Sequence, residues 1–102
     1  MKTNYIYLIV LREFIKSGEN IYKIGRTSQE NYKRFYQYPK NSILLFHMIC
    51  SPDIKLCELE KKILYKFEQK YILRNDIGRE YFEGNYMNMI DDIYEILKND
   101  RH

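Results

Sequence analysis

Residues 5–11, YIYLIVL, and residues 21–27, IYKIGRT, decide the fold. The first run is apolar at odd and even positions alike and rich in β-branched and aromatic side chains. A strand with one wet face alternates in polarity, so an unbroken apolar run predicts a central strand covered on both faces. Ser17-Gly18-Glu19-Asn20 reads as a turn, and Ile21–Gly25 as a second strand closing a hairpin with a long loop. Gly25-Arg26-Thr27-Ser28 leaves that strand, with Thr27 or Ser28 placed to cap a helix running to about Tyr38. Pro39 then stops it.

Further along, Ser42–Cys50 (SILLFHMIC) reads as a third strand. Ser51-Pro52-Asp53 is a helix-start signature, with Asp53 as the capping acceptor of a helix that continues to about Tyr71. Residues 74–84 read as loop with a short extended or turn element. Asn85 or Tyr86 opens a last helix to about Asn99, with Met87, Ile90, Ile93, Tyr94 and Leu97 on one face. The order β-β-α-β-α-α describes an α+β domain with a small antiparallel or mixed sheet.

At 102 residues the chain is expected to form a single domain, residues 1–102, and no linker or repeat divides it. With 45% hydrophobic and 30% charged residues, bulk disorder is excluded. No apolar run approaches the ~20 residues of a membrane span. The N-terminal MKTNYIYLIVL has one basic residue and no small-residue cleavage site, so it reads as a strand and the protein as intracellular, in the cytoplasm or nucleus of a host cell. Two cysteines, Cys50 and Cys57, are too few for a secreted disulfide framework and point to a reducing compartment. His47 and Cys50 sit three apart on a strand, where side chains alternate, so they point to opposite faces and a zinc cluster is disfavoured. His47 itself reads as an interior strand residue, with a proton shuttle near a metal as the alternative.

Charge is unevenly spread. Residues 1–50 hold eight Lys or Arg against three Glu, whereas residues 51–102 hold nine basic against eleven acidic side chains. That asymmetry is compatible with a polyanion held on one face and equally with an ordinary mixed surface. Eleven tyrosines and no tryptophan put many phenols at the core margin, where a hydroxyl can reach water or a ligand.

Glu60 is the informative residue of the long helix. At ~100° per residue, Leu56, Leu59, Ile63, Leu64, Phe67 and Tyr71 form one apolar stripe, and Glu60 falls in its middle. Glu58 lies on the solvent side, as do Lys61, Lys62 and Lys66. A carboxylate on a core-facing stripe is costly unless paired, hydrogen-bonded or bound to a metal. Two readings follow: a structural one, with a salt bridge to a buried Arg or a tip that snorkels to the domain edge, and a functional one, a ligand for a hard cation such as Mg²⁺.

Tyr5-Ile6-Tyr7 followed by Tyr22-Lys23-Ile24-Gly25-Arg26-Thr27 resembles the paired-strand signature of the GIY-YIG nuclease superfamily, in particular its compact branch of phages and large DNA viruses. Arg34 in the next segment, Glu60 with Phe67 seven residues on, and Gly78-Arg79-Glu80-Tyr81-Phe82 follow in the expected order, so the resemblance spans roughly residues 5–85. It implies a three-stranded antiparallel sheet flanked by three helices and a metal-dependent endonuclease that hydrolyses phosphodiester bonds in DNA, with RNA as a second candidate polyanion. It further implies that Tyr7 positions or activates the attacking water, that Arg34 balances phosphate charge, and that Glu60 holds one Mg²⁺ or Mn²⁺. Such chemistry needs a Lewis acid near the developing oxyanions and a cation for the non-bridging oxygens.

The signature also has departures. Tyr5 stands where the superfamily usually has Gly, and Lys23 where it has the tyrosine of the second motif. Lys23 is therefore either a catalytic-site cation, donating to phosphate or lowering the pKa of Tyr7, or the mark of a relative that binds nucleic acid without cutting. Tyr22 is adjacent but points to the other face. Arg26, Thr27, Lys33 and Asn85 are candidate nucleic-acid contacts; for Thr27 plain helix capping is an equal reading, and Asn75 is the alternative to Asn85. Glu80 either supports the metal or pairs with Arg79 or Arg74. Tyr32 and Tyr36, four apart, stack on bases or pack at the core margin.

Overall fold

A computed structural model describes residues 3–28, 35–51 and 55–99. Among these, the chain runs β1 (Asn4–Val10), α1 (Arg12–Ser17), β2 (Ile21–Thr27), a single 3-10 turn (Phe35–Gln37), β3 (Ile43–Cys50), α2 (Leu56–Lys70), β4 (Ile72–Leu73), β5 (Tyr81–Glu83) and α3 (Tyr86–Asn99). The strands form one antiparallel sheet in the order β3-β1-β2-β5-β4. The expected sheet of three strands is thus corrected to five, because two short strands from residues 72–83 extend it beyond β2.

β1 is central, as its unbroken apolar run requires. Ile6, Leu8 and Val10 face a core completed by Leu59, Ile63 and Phe67 of α2 and Met89, Ile93 and Leu97 of α3. Tyr5, Tyr7 and Ile9 alternate to the opposite face and are buried too. Phe67 stands edge-on to Phe82 at 5.3 Å, which ties α2 to β5.

The hairpin loop between β1 and β2 contains α1, which the sequence pattern did not indicate. Its six residues bury only Phe14, and Gly18 closes it in the left-handed region at φ 76°, donating its N–H to the Phe14 carbonyl at 3.0 Å. The helix expected from Thr27 or Ser28 to Tyr38 is described only at its end, as the 3-10 turn; residues 29–34 lie outside the described residues, and with them Tyr32, Lys33 and Arg34. Asp53 lies outside as well, and Lys55 is the N-cap of α2.

In α3 the buried stripe is Met89, Asp92, Ile93 and Leu97, whereas Met87 and Tyr94 are about half exposed. The helix is therefore rotated from the expected phase. Asp92 takes part in the burial because α2 supplies its partners: Lys70 Nζ donates to Oδ1 at 2.8 Å and the Tyr71 hydroxyl to Oδ2 at 2.6 Å. His47 is exposed rather than interior, since β3 is an edge strand, and Cys50 points to the buried side.

One detail of the sheet positions everything that follows. β5 pairs with β2 only over Ile21–Lys23, and a last bond runs from Ile24 N–H to the Glu80 carbonyl at 3.0 Å. Past that point the edge of β2, Gly25 to Thr27, has no strand beside it among the described residues. Groups from both faces of the sheet meet at this gap.

Candidate functional site

The gap opens into a cleft of about 560 Å³. From one face of β2 and β1 come Lys23, Thr27 and Tyr7. From the other come Arg26 and, projecting from α2, Glu60 and Leu64. Ser28 and the β4–β5 connection, with Arg79 and Glu80, complete the walls. An intact sheet would keep these two sets apart, because alternate side chains of β2 point to opposite faces.

Glu60 is buried in the α2 stripe and still keeps its carboxylate at the cleft. Arg26 Nε donates to Oε1 at 3.1 Å, while Oε2 is buried and meets no hydrogen-bond donor among the described residues. Arg26 is itself about half exposed, so the pair is not one with a buried arginine; the carboxylate tip reaches the edge of the domain at the cleft. The Glu60 carboxyl is pushed up to about 7, first by burial and then by the neighbouring Glu80 carboxyl; Arg26 opposes the shift. The two carboxyl groups thus lie close together, Glu60 with Arg26 at one oxygen and Glu80 with Lys23 beside it.

The phenol side of the cleft is more fully bonded. Tyr7 is wholly buried, and its hydroxyl lies 2.5 Å from that of Tyr38. Lys23 Nζ donates to the Tyr38 hydroxyl at 3.0 Å and lies 3.7 Å from Glu80 Oε1. Tyr7 crosses directly over Gly25, its partner in the β1–β2 ladder, so closely that a Cβ on Gly25 would overlap the phenol. The glycine of the second motif is thus required by a close approach.

Of the residues singled out in the sequence, the cleft brings together Tyr7, Lys23, Arg26, Thr27 and Glu60. Lys33 and Arg34 fall outside the described residues. Asn85 is elsewhere: its Oδ1 accepts the backbone N–H groups of Met87 and Asn88 and caps α3. Tyr22 faces the core, as strand alternation requires, and burial raises its pKa. Glu80 faces Lys23 and Glu60, whereas Arg74 is taken by Asp76 and Glu83. Tyr36 is exposed. Sequence reasoning missed Tyr38 altogether. The one available signal was a tyrosine beside Pro39, which carries no chemical information without the tertiary contact to β1.

Fold and cleft together describe a small α+β domain with a charge-lined cleft at the edge of its sheet, and a family match gives its class. A family model, the T5orf172 domain, matches residues 4–99, and the chain belongs to that phage-derived family. No curated protein and no solved structure matches the chain. No helix among the described residues is long and apolar enough to cross a membrane.

Proposed function

We propose that the domain is a metal-dependent endonuclease that hydrolyses phosphodiester bonds in DNA, working at the cleft between Tyr7 and Glu60. The observation that carries this reading is the buried Glu60 Oε2, without a donor and with the Glu80 carboxyl nearby. Buried polar atoms are almost always satisfied, so an orphaned carboxylate oxygen beside a second carboxyl fits a hard cation as the absent partner. Glu60, with Glu80 at hand, would hold Mg²⁺ or Mn²⁺, which supplies Lewis acidity toward the phosphate.

The chain's own residues account for the remaining requirements. Arg26 and Arg79 line the cleft and offer guanidinium donors to non-bridging oxygens, where the planar fork suits phosphate. Thr27 and Ser28 add short hydroxyl side chains on the same wall. Tyr7, as phenolate, takes a proton from the attacking water while that oxygen bonds to phosphorus. The bond from phosphorus to the departing sugar oxygen breaks, and that oxygen takes a proton from solvent. Arg34 remains assigned to phosphate by its place in the motif order alone.

Supercoiled plasmid incubated with Mg²⁺ or Mn²⁺ tests the reading: nicking is expected from the wild-type chain and lost in Glu60→Gln. Intact plasmid across both metals and pH 6–9 rejects it. A second reading, a module that holds nucleic acid without cutting, is favoured by one observation, the Arg26 guanidinium already occupying Glu60 Oε1. Salt-sensitive DNA binding that persists in Glu60→Gln, without nicking by the wild type, selects that reading.

A further inference from the structure

We propose that Tyr38 is the positioning residue for Tyr7, supplying from the end of the 3-10 turn the second phenol that β2 lacks because Lys23 stands in its place. Its consequence for catalysis rests on the endonuclease reading; its geometry rests on contacts at the cleft wall. The Tyr7 and Tyr38 hydroxyls are 2.5 Å apart, Lys23 Nζ lies 3.0 Å from the Tyr38 oxygen, and the two rings meet edge to face at 6.2 Å. Strand spacing cannot offer this phenol, since Tyr22 is turned into the core.

The order of donation follows from chemistry. An ammonium only donates, so the Tyr38 oxygen accepts from Lys23; a Tyr7 phenolate only accepts, so once Tyr7 ionises the Tyr38 proton is directed to it. Charge developing on Tyr7 then meets a hydrogen bond from Tyr38 that is polarised by Lys23. Lys23 also lies over the Tyr7 ring, 5.9 Å from its centroid, so its charge acts on Tyr7 directly as well. Lys23 thereby changes role: it does not replace the missing phenol, it orients another one.

Several ionisable groups surround Tyr7 and belong in any account of its protonation. Lys23 comes from β2, Tyr38 from the turn segment, and His47 from the opposed position on β3. Tyr81 of β5 couples electrostatically to Tyr7, and Glu80 stands behind Lys23. Arg26 and Glu60 line the same cleft. Phe35 closes the remaining side edge-on at 4.9 Å and adds no charge.

Protein labelled with ¹³Cζ-tyrosine reports each phenol separately, and Tyr7→Phe assigns the Tyr7 resonance. Tyr38→Phe removes one oxygen and keeps the ring; it is expected to raise the pH at which Tyr7 ionises by about one to two units, the equivalent of one charge-assisted hydrogen bond. Lys23→Met shifts the midpoint the same way, Lys23→Arg restores most of it, and Tyr36→Phe leaves it in place. If Tyr38→Phe does not fold, the wild-type Tyr38 resonance carries the measurement: it must move at the pH where Tyr7 ionises, and a Tyr38 resonance that ignores that step overturns the proposal. An unmoved Tyr7 midpoint in a folded variant, or a wild-type Tyr7 that does not ionise below alkaline unfolding, overturns the proposal. Plasmid nicking is read in parallel: cutting with an unmoved midpoint rejects the positioning role alone. A shifted midpoint without any cutting by the wild type rejects the endonuclease reading and leaves the hydrogen-bond relay standing.

Discussion

Arg26 donates from Nε to one oxygen of Glu60 at 3.1 Å, and the other oxygen of that buried carboxylate meets no donor among the described residues. Asp92, the second buried carboxylate, shows what a finished structural site in the same molecule looks like. Lys70 serves one of its oxygens and the Tyr71 hydroxyl the other, at 2.8 and 2.6 Å. Both sites are built on α2, one toward its first turns and one at its end. Burial therefore does not separate a functional carboxylate from a structural one here. Completeness of partnering is what differs between the two, because an unmet buried oxygen costs free energy that a proton or a bound cation can recover.

The Asp92 site is expected to behave as a clamp between α2 and α3. Asp92→Asn weakens two charge-assisted hydrogen bonds and should cost about 2 kcal/mol of stability by urea unfolding. Tyr71→Phe, which leaves Lys70 in place, should cost about 1 kcal/mol. Neither substitution is expected to change DNA nicking at temperatures where the protein stays folded. A specific loss of nicking in Asp92→Asn would mean that this end of α2 does more than hold the helices together.

Glu60 makes the opposite contribution. Its carboxyl is raised from an ordinary 4.5 to about 7 in the folded chain, mainly by burial. The folded state therefore binds this proton more tightly than the unfolded state. The associated stability is fully present below about pH 4.5, declines as pH rises through 7, and is absent above it, a change of roughly 3 kcal/mol at most. In urea unfolding without divalent cations, Glu60→Gln should gain on the wild type as pH rises from 5 to 8. Equal differences at the two pH values would show that Glu60 is not held protonated by the fold.

The parts of this arrangement that were legible in the sequence are those encoded by local pattern. β1 declares itself by being apolar at every position, and the spacing of the α2 stripe alone places Glu60 against the core. β4 and β5, two and three residues long, have no period to read; they exist because β2 offers an edge. α1 is likewise too short to show an amphipathic repeat. In α3, apolar residues cover so much of the circumference that Met87 and Tyr94 suggested the wrong face, and a buried Asp92 pulled against the true one. Within the cleft, Lys23 was visible as a departure from a motif. Its partner Tyr38 was not, because 31 residues separate Tyr7 from Tyr38 and only the folded sheet joins them.

Gly25 and Tyr7 form a testable pair. A Cβ at position 25 would overlap the Tyr7 ring, so Gly25→Ala should cost about 1–3 kcal/mol through overpacking and should push the phenol out of register with Tyr38. Tyr7→Ala removes the obstacle and leaves a cavity of its own. The two effects should not add: a double-mutant cycle is expected to return a coupling of about 1 kcal/mol or more. Additive losses would place the cost of Gly25→Ala elsewhere in β2.

Arg26 pairs with Glu60 in the absence of metal. Its guanidinium is half exposed and occupies one oxygen of the carboxylate proposed to hold the cation. A metal entering at Glu60 must therefore compete with a charge already in place, and that charge is released toward the cleft, where phosphate oxygens would lie. In calorimetric titration with Mn²⁺ and no DNA, Arg26→Gln should bind the ion more tightly than the wild type, by about fivefold if one exposed ion pair of roughly 1 kcal/mol is removed. Glu60→Gln should not bind it. With DNA the order reverses for Arg26→Gln, whose complex should weaken and lose part of its salt dependence, because one phosphate contact is missing. Weaker Mn²⁺ binding by Arg26→Gln in the absence of DNA would instead make Arg26 a support for the carboxylate, and would remove the competition on which the coupling of metal and nucleic acid depends.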